Sequence, residues 1–337
     1  MGSDMYYNNL DEETSAGLKE LQRRIATHNL PESALDKTLK IATWNIREFG
    51  NPGHKRKKKS LYYIAEILSY FDLIGVVELR KDVGEMAEVL RLMGPTWDIV
   101  YSDYIEDPGG NKERVGFVFD KRACVFTGLA GNANEPRKKN GSEYLIKEDS
   151  WWRKPFMGSF RSGNFDFIML TTHIRWGSIE KDRAKELGLL ADYVYSRTIK
   201  DATIDRDVLV MGDFNIPSID SPLYKAVTAR GLVMPQALAG IHGSNLAKDK
   251  RYDQILYNPV YTKSITNQGG VVDFYKSGWG DLYPEAKSKS DPKFTFQLSD
   301  HLPLWIMINT DNDGEQLDQV LAPKRDEKAR HDRGGPG

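Results

Sequence analysis

The sequence predicts a mixed α/β fold in which two β-sheets pack face to face and helices cover their outer sides. The first observation behind this is a series of short apolar runs, at 41–44, 73–77, 115–119, 165–170, 208–211, 255–257 and 302–308, each of strand length. Helical patterns lie between some of them, at 60–70, 84–93 and 179–199, with no strict alternation and no solenoid period. The second observation is where chemically capable residues fall. Four runs lead straight into Asn45, Glu78, His173, and Asp213 with Asn215, whereas Asp253 and the triplet Ser299-Asp300-His301 precede theirs. If all six groups meet at one edge, four strands arrive there and two leave. Antiparallel neighbours are then required, which disfavours a purely parallel wound sheet.

The elements divide the chain of 337 residues into three parts. Residues 1–38 read as a helical appendage, because Leu18, Leu21 and Ile25 recur at helical spacing among charges. Residues 39–310 form the folded unit, and 311–337, which lose their apolar residues after Leu321, have the composition of a flexible tail. The 47 basic and 48 acidic residues leave a net charge of -1, so any attraction for phosphate must be local. One cysteine, Cys124, excludes an intramolecular disulfide and a thiolate zinc cage, and suits a reducing compartment. No apolar run is long enough to span a bilayer, and Met1 to Asp4 lack a secretory pattern, so a cytoplasmic, monomeric protein is expected. Met1 to Asp4 also read as an added stretch with Met5 as the natural start, which leaves room for a leader removed upstream.

Oxygen donors with imidazole and no thiolate suit a hard divalent cation, magnesium or manganese, for which Asn45, Glu78 and Asp300 are the candidate ligands. His173 and His301 are the candidates for proton transfer, since imidazole titrates near neutrality and a carboxylate neighbour orients it. A phosphate-binding loop, a paired-histidine zinc helix and a nucleophile-elbow serine are all absent from the sequence. Hydrolysis by activated water is the chemistry that remains.

Several segments in order resemble the endonuclease/exonuclease/phosphatase superfamily, and its deoxyribonuclease I-like branch in particular. Lys40-Ile41-Ala42-Thr43-Trp44-Asn45-Ile46-Arg47-Glu48-Phe49-Gly50 resembles the opening strand, Val77-Glu78-Leu79-Arg80-Lys81-Asp82 the metal-glutamate motif, and Lys112-Glu113-Arg114 and Arg153-Lys154-Pro155 two further site segments. Thr172-His173, Gly212-Asp213-Phe214-Asn215, Tyr252-Asp253-Gln254 and Ser299-Asp300-His301 complete the series across nearly all of 39–310. The resemblance implies a two-sheet sandwich with the site at one end. It implies that Glu78 holds the metal with Asn45 and Asp300, that His301 pairs with Asp253 and His173 with Glu113, and that Asp213 and Asn215 position water and the scissile phosphate. Arg153 and Tyr252 would contact phosphate oxygens, and Arg80 would reach the minor groove of duplex DNA. A metal-dependent DNA phosphodiesterase is the activity implied; RNA, a phosphoinositide or a phospholipid head group is the alternative, because substrate choice lies in the loops. A silent scaffold of the same fold fits poorly, since every expected catalytic group is present.

Val77 stands where the family usually has glutamine, and Ile174-Arg175-Trp176-Gly177 departs from the deoxyribonuclease branch next to the site. The basic run from His54 to Lys59 fits either a phosphate grip or a solvated loop. Trp151, Trp152, Trp176 and Trp279 could stack on bases or sugars, but large aromatics more often serve a core, and no role is assigned to them.

Overall fold

The structure is a computed structural model. It describes residues 7, 10–104, 112–135, 138–145, 150–177, 179–200, 205–276 and 278–311. The tail after Asp311 and the stretch Met1 to Asp4 lie outside the described residues.

Two sheets form the body. The first has the order β12 (Ile265–Val271), β13 (Leu304–Asn309), β1 (Thr38–Phe49), β2 (Leu73–Leu79), β4 (Arg114–Asp120) and β3 (Trp97–Tyr101). The second runs β11 (Asp253–Tyr257), β10 (Val208–Asp213), β9 (Phe165–His173), β8 (Phe156–Ser162) and β5 (Val125–Asn132). A short hairpin of β6 (Lys138–Asn140) and β7 (Glu143–Leu145) stands apart. Every apolar run read as a strand lies in one of these sheets.

Period-two alternation explains why the sheets stack. On β1, Leu39 and Ile41 face the inter-sheet core, whereas Ala42, Trp44 and Ile46 face an outer core under helices. On β9, Phe165, Phe167 and Met169 meet the first sheet, while Ile168 and Leu170 turn to the outer helices of the second. Those helices are α4 (Glu180–Tyr195) and α5 (Pro222–Thr228). On the other side lie α1 (Glu12–Ala26), α2 (Lys58–Leu68) and α3 (Gly84–Met93), together with the long segment between β12 and β13.

The amino-terminal helix is tied firmly to this outer layer. Asp11 caps α1 by accepting from Thr14 N at 2.7 Å, and Leu18, Leu21 and Ile25 are buried in the outer core. Gly17 lets Tyr63 of α2 press against the helix, since a Cβ there would sit 1.8 Å from the phenol oxygen. Arg24 is wholly buried and donates to the carbonyls of Phe274, Tyr275 and Gly278 at 2.9–3.0 Å. Its charge is balanced by Glu20, whose carboxyl is drawn down to about 2 by Arg23 and Arg24.

Strand direction determines where the polar ends go. β1 and β2 are parallel, as are β9 and β10, so Asn45 and Glu78 leave one pair and His173 and Asp213 the other. β11 and β13 run antiparallel to β10 and β1 and start from the same edge, with Asp253 opposite Asp213, which itself pairs with His173. The expected mixed sandwich with both strand directions is therefore what forms.

Candidate active site

Three residues lie side by side at the end of the second sheet: His173, Asp213 and Asp253. Close approach of β9 and β10 there requires Gly212, because a Cβ would fall 2.0 Å from Thr172 O and the residue has φ +132°. The first sheet contributes Asn45 and Glu78. Pairing slips between Asn45 and Phe49 and between Val76 and Leu79, and Glu78 lies in this irregular stretch at a left-handed φ of 64°. Such a backbone on a glutamate is costly and is typical of functional positions. Glu48 N donates to Glu78 Oε2 at 2.8 Å, and Asn45 Nδ2 donates to Glu78 Oε1 at 2.9 Å and to Asp213 Oδ2 at 3.0 Å.

Two histidine–carboxylate pairs face each other across Asp213. His301 Nδ1 lies 2.8 Å from Asp253 Oδ2, and His173 Nδ1 lies 2.8 Å from Glu113 Oε2. Their Nε2 atoms point to one oxygen, Asp213 Oδ2, at 3.7 and 3.6 Å. Burial works against the charged form of both imidazoles, yet the facing carboxylates prevail and raise both; His301, which also feels Asp300, is raised well above its ordinary value. Burial would likewise raise Glu113, but His173, Arg153 and Arg80 together hold it down at about 2. Asp253 moves the other way: burial, with Asp213 nearby, raises it despite His301 and a 2.5 Å hydrogen bond from Ser244 Oγ.

The remaining expected site residues are placed as follows. Arg153 Nε is 3.1 Å from Glu113, and its Nη1 donates to His173 O at 3.4 Å. Asn215 adopts a left-handed φ of 51° and its Nδ2 donates to Ile174 O at 2.7 Å. The Tyr252 ring sits 5.8 Å from that of His301. Asp300, whose side chain is 41% exposed, faces Arg47 at 3.5 Å and also acts on the His301 imidazole. Arg80 is not at a surface. Its side chain is 9% exposed and pairs with Glu48 at 3.2 Å and Glu113 at 3.5 Å, so it braces a site carboxylate.

The basic run resolves similarly. Arg56 is buried against Glu85, Lys57 and Lys59 both pair with Glu285, and His54 stacks on Phe296 while binding Glu48. The run is largely engaged in the protein's own ion pairs. Trp151 and Trp279 are buried, whereas Trp152 and Trp176 are exposed.

The donor set fits a divalent cation. Donor atoms of Glu78, Glu113 and His173 lie within 4.8 Å of one another, and Asn45 Oδ1 is buried with no hydrogen-bond partner. An orphaned carbonyl oxygen beside carboxylates is the environment a hard cation needs.

Two contributors escaped sequence reasoning. Ser244, nine positions before Asp253 in an irregular loop, carries no motif that would single it out. Glu48 sits inside the opening-strand segment, but only the folded chain shows that it meets Arg80 and Glu78.

The architecture and the residues at its end define the class: the chain has the fold of the endonuclease/exonuclease/phosphatase proteins, and its structural neighbours are members of that family. One from Bacteroides thetaiotaomicron superposes with a TM-score of 0.52 at 16% identity, covering 81% of this chain and 98% of its own. The mannosyl-6-phosphatase of the same organism gives 0.51 at 16% identity, covering 80% and 99%. In sequence, the chain is 26% identical over 315 residues to a deoxyribonuclease of Thioalkalivibrio sp. (strain K90mix), across 89% of this chain and 78% of that protein. No sequence-family profile matches the chain.

Proposed function

We propose that this protein hydrolyses phosphodiester bonds in DNA, with magnesium or manganese as its cation and 39–310 as the catalytic unit. The observation that carries the reading is the convergence of two carboxylate-backed imidazoles on one oxygen of Asp213, at 3.6 and 3.7 Å. The relationship to a deoxyribonuclease supports the substrate.

Glu78 and Asn45 would hold the cation, with Glu113 and His173 alongside in the resting site. When bound, it supplies Lewis-acid polarisation of a phosphoryl oxygen and offsets developing negative charge. The chain's own groups do the rest. Asp213 accepts from the attacking water and orients it, while the histidine of one pair, in its neutral form, takes on Nε2 the proton that water releases. The other pair gives a proton to the leaving ester oxygen, so that one P–O bond forms, one breaks, and a phosphomonoester and an alcohol result. Arg153 and Tyr252 flank the phosphate, and Arg80 keeps Glu113 ionised beside His173.

Cleavage of supercoiled plasmid, linear duplex, single-stranded DNA and RNA, with magnesium, manganese or chelator, tests this beside an Asp213→Asn variant. Metal-dependent DNA cleavage that the substitution abolishes is the expected result. Silence on all nucleic acids, with phosphate released from a sugar phosphate or an inositol lipid, would overturn the substrate. Among the described residues no helix is long and apolar enough to cross a membrane.

A further inference from the structure

Trp176 is the most exposed large apolar side chain among the described residues, at 68%. It lies three positions after His173, on a backbone pinned into the site: Ile174 N donates to Asp213 O at 2.9 Å, and Ile174 O accepts from Asn215 Nδ2 at 2.7 Å. The indole meets the Tyr252 ring edge-to-face, with centroids 5.8 Å apart and planes at 88°, and Tyr252 in turn stands 5.8 Å from His301. Arg183 holds it from another side, its guanidinium 5.6 Å from the ring centroid while Nη1 donates to Asn215 O at 2.9 Å. The core tryptophans behave differently. The indole nitrogens of Trp44 and Trp151 donate to His301 O and Glu186 O, whereas that of Trp176 has no partner among the described residues.

An indole kept in water yet clamped between a tyrosine and an arginine beside a catalytic histidine is placed to receive a flat ligand. Resting on the phosphodiesterase reading above, we infer that Trp176 is a stacking platform for an unpaired nucleobase next to the scissile bond, which makes single-stranded or locally unpaired DNA the preferred substrate. Aromatic faces stack on any base, and a nearby cation adds attraction for the backbone and the π-system. Inside a duplex each base is already stacked on its neighbours, so the platform is useful only for a base that is free or turned out.

The test compares wild type, Trp176→Ala and Trp176→Phe on a single strand, on the same sequence as a blunt duplex, and on the same strand with abasic sugars around the cleavage position. Stacking worth about 1–3 kcal/mol per base corresponds to a loss on the order of tenfold or more for Trp176→Ala on the intact strand. That loss is expected in KM, to be larger than on the duplex or abasic strand, and to be mostly restored by Trp176→Phe. An equal loss on all three substrates would show that the indole only supports the fold and would overturn the inference. Binding is followed separately in chelator, as the part of the tryptophan fluorescence quench that wild type shows and Trp176→Phe lacks. A quench produced by the intact strand and reduced with the abasic one supports the platform even if no nucleic acid is cleaved, in which case only the functional reading fails. Cleavage without any such quench overturns the platform and leaves the function standing.

Discussion

The two histidine–carboxylate pairs have the same inner geometry, 2.8 Å from Nδ1 to carboxylate, but opposite surroundings. Glu113 is gripped by Arg80 and Arg153, and its carboxyl falls to about 2. Asp253 has no arginine or lysine ion pair among the described residues; it is held by Ser244 Oγ and backbone geometry, and burial raises it. One pair is thus braced by guanidinium charge, the other by a neutral hydroxyl. Each pair leaves one carboxylate oxygen, Glu113 Oε1 and Asp253 Oδ1, buried without a hydrogen bond, so the difference lies in how the charge is offset: by nearby guanidinium groups in one pair, by a hydroxyl sharing the paired oxygen in the other.

Breaking the comparison altogether takes the largest perturbation, removal of the divalent cation that the proposed mechanism places at the phosphate between the two pairs. Chelation is expected to abolish turnover, and magnesium added back to raise the melting temperature with the logarithm of its concentration above its Kd. A melting temperature and rate both indifferent to chelator would remove the metal from the proposal.

Next in size are His301→Ala and His173→Ala, each expected to lower kcat by on the order of a hundredfold or more, as loss of a proton-transfer group does. Because both imidazoles face Asp213, the double variant should lose far less than the product of the two, which single-turnover rates would show. A fully active His301→Ala protein would remove that residue from the chemistry.

Arg80→Ala sharpens the contrast by unbracing only the Glu113 side. About a tenfold fall in kcat is expected on every diester, duplex or single-stranded, with partial recovery in Arg80→Lys. A loss confined to duplex DNA would instead return Arg80 to a groove-reading role. The smallest effect belongs to Ser244→Ala, which removes the hydroxyl's bond to the Asp253 carboxylate and its bond from Asp253 N, each worth about 1 kcal/mol, and a several-fold loss of rate is expected. Since Arg80 and Ser244 serve different pairs, their effects should multiply in a double-mutant cycle; strong coupling would mean that the two halves are not independent.

Much of this is legible in the sequence. The strand ends could be read because alternation buries Leu39 and Ile41 on one face and Trp44 and Ile46 on the other, a pattern no helix would produce. Asp253 and His301 were legible as strand-initial polar residues, and they do lie together. Strands β3, β5, β8 and β12 of the two sheets were not among the runs read as strands; in β5 and β12, Gly128, Gly131, Gly269 and Gly270 interrupt the alternation and few side chains are buried. For Asp300 and Arg80, local sequence offered a motif but no direction: each side chain turned to an opposite charge, Arg47 in one case and Glu48 with Glu113 in the other.

By itself the sequence determined the kind of layers, the direction of the strands and the inventory of groups at their ends, because these follow from periodicity and from chemistry confined to a few residues. Only the tertiary structure decided which carboxylate is braced by arginine, which basic residues are engaged by internal acids, and which tryptophan stays in water beside the site. Those outcomes depend on groups tens to hundreds of positions apart meeting within a few ångströms, and packing selects such pairs without leaving a local signal in the chain.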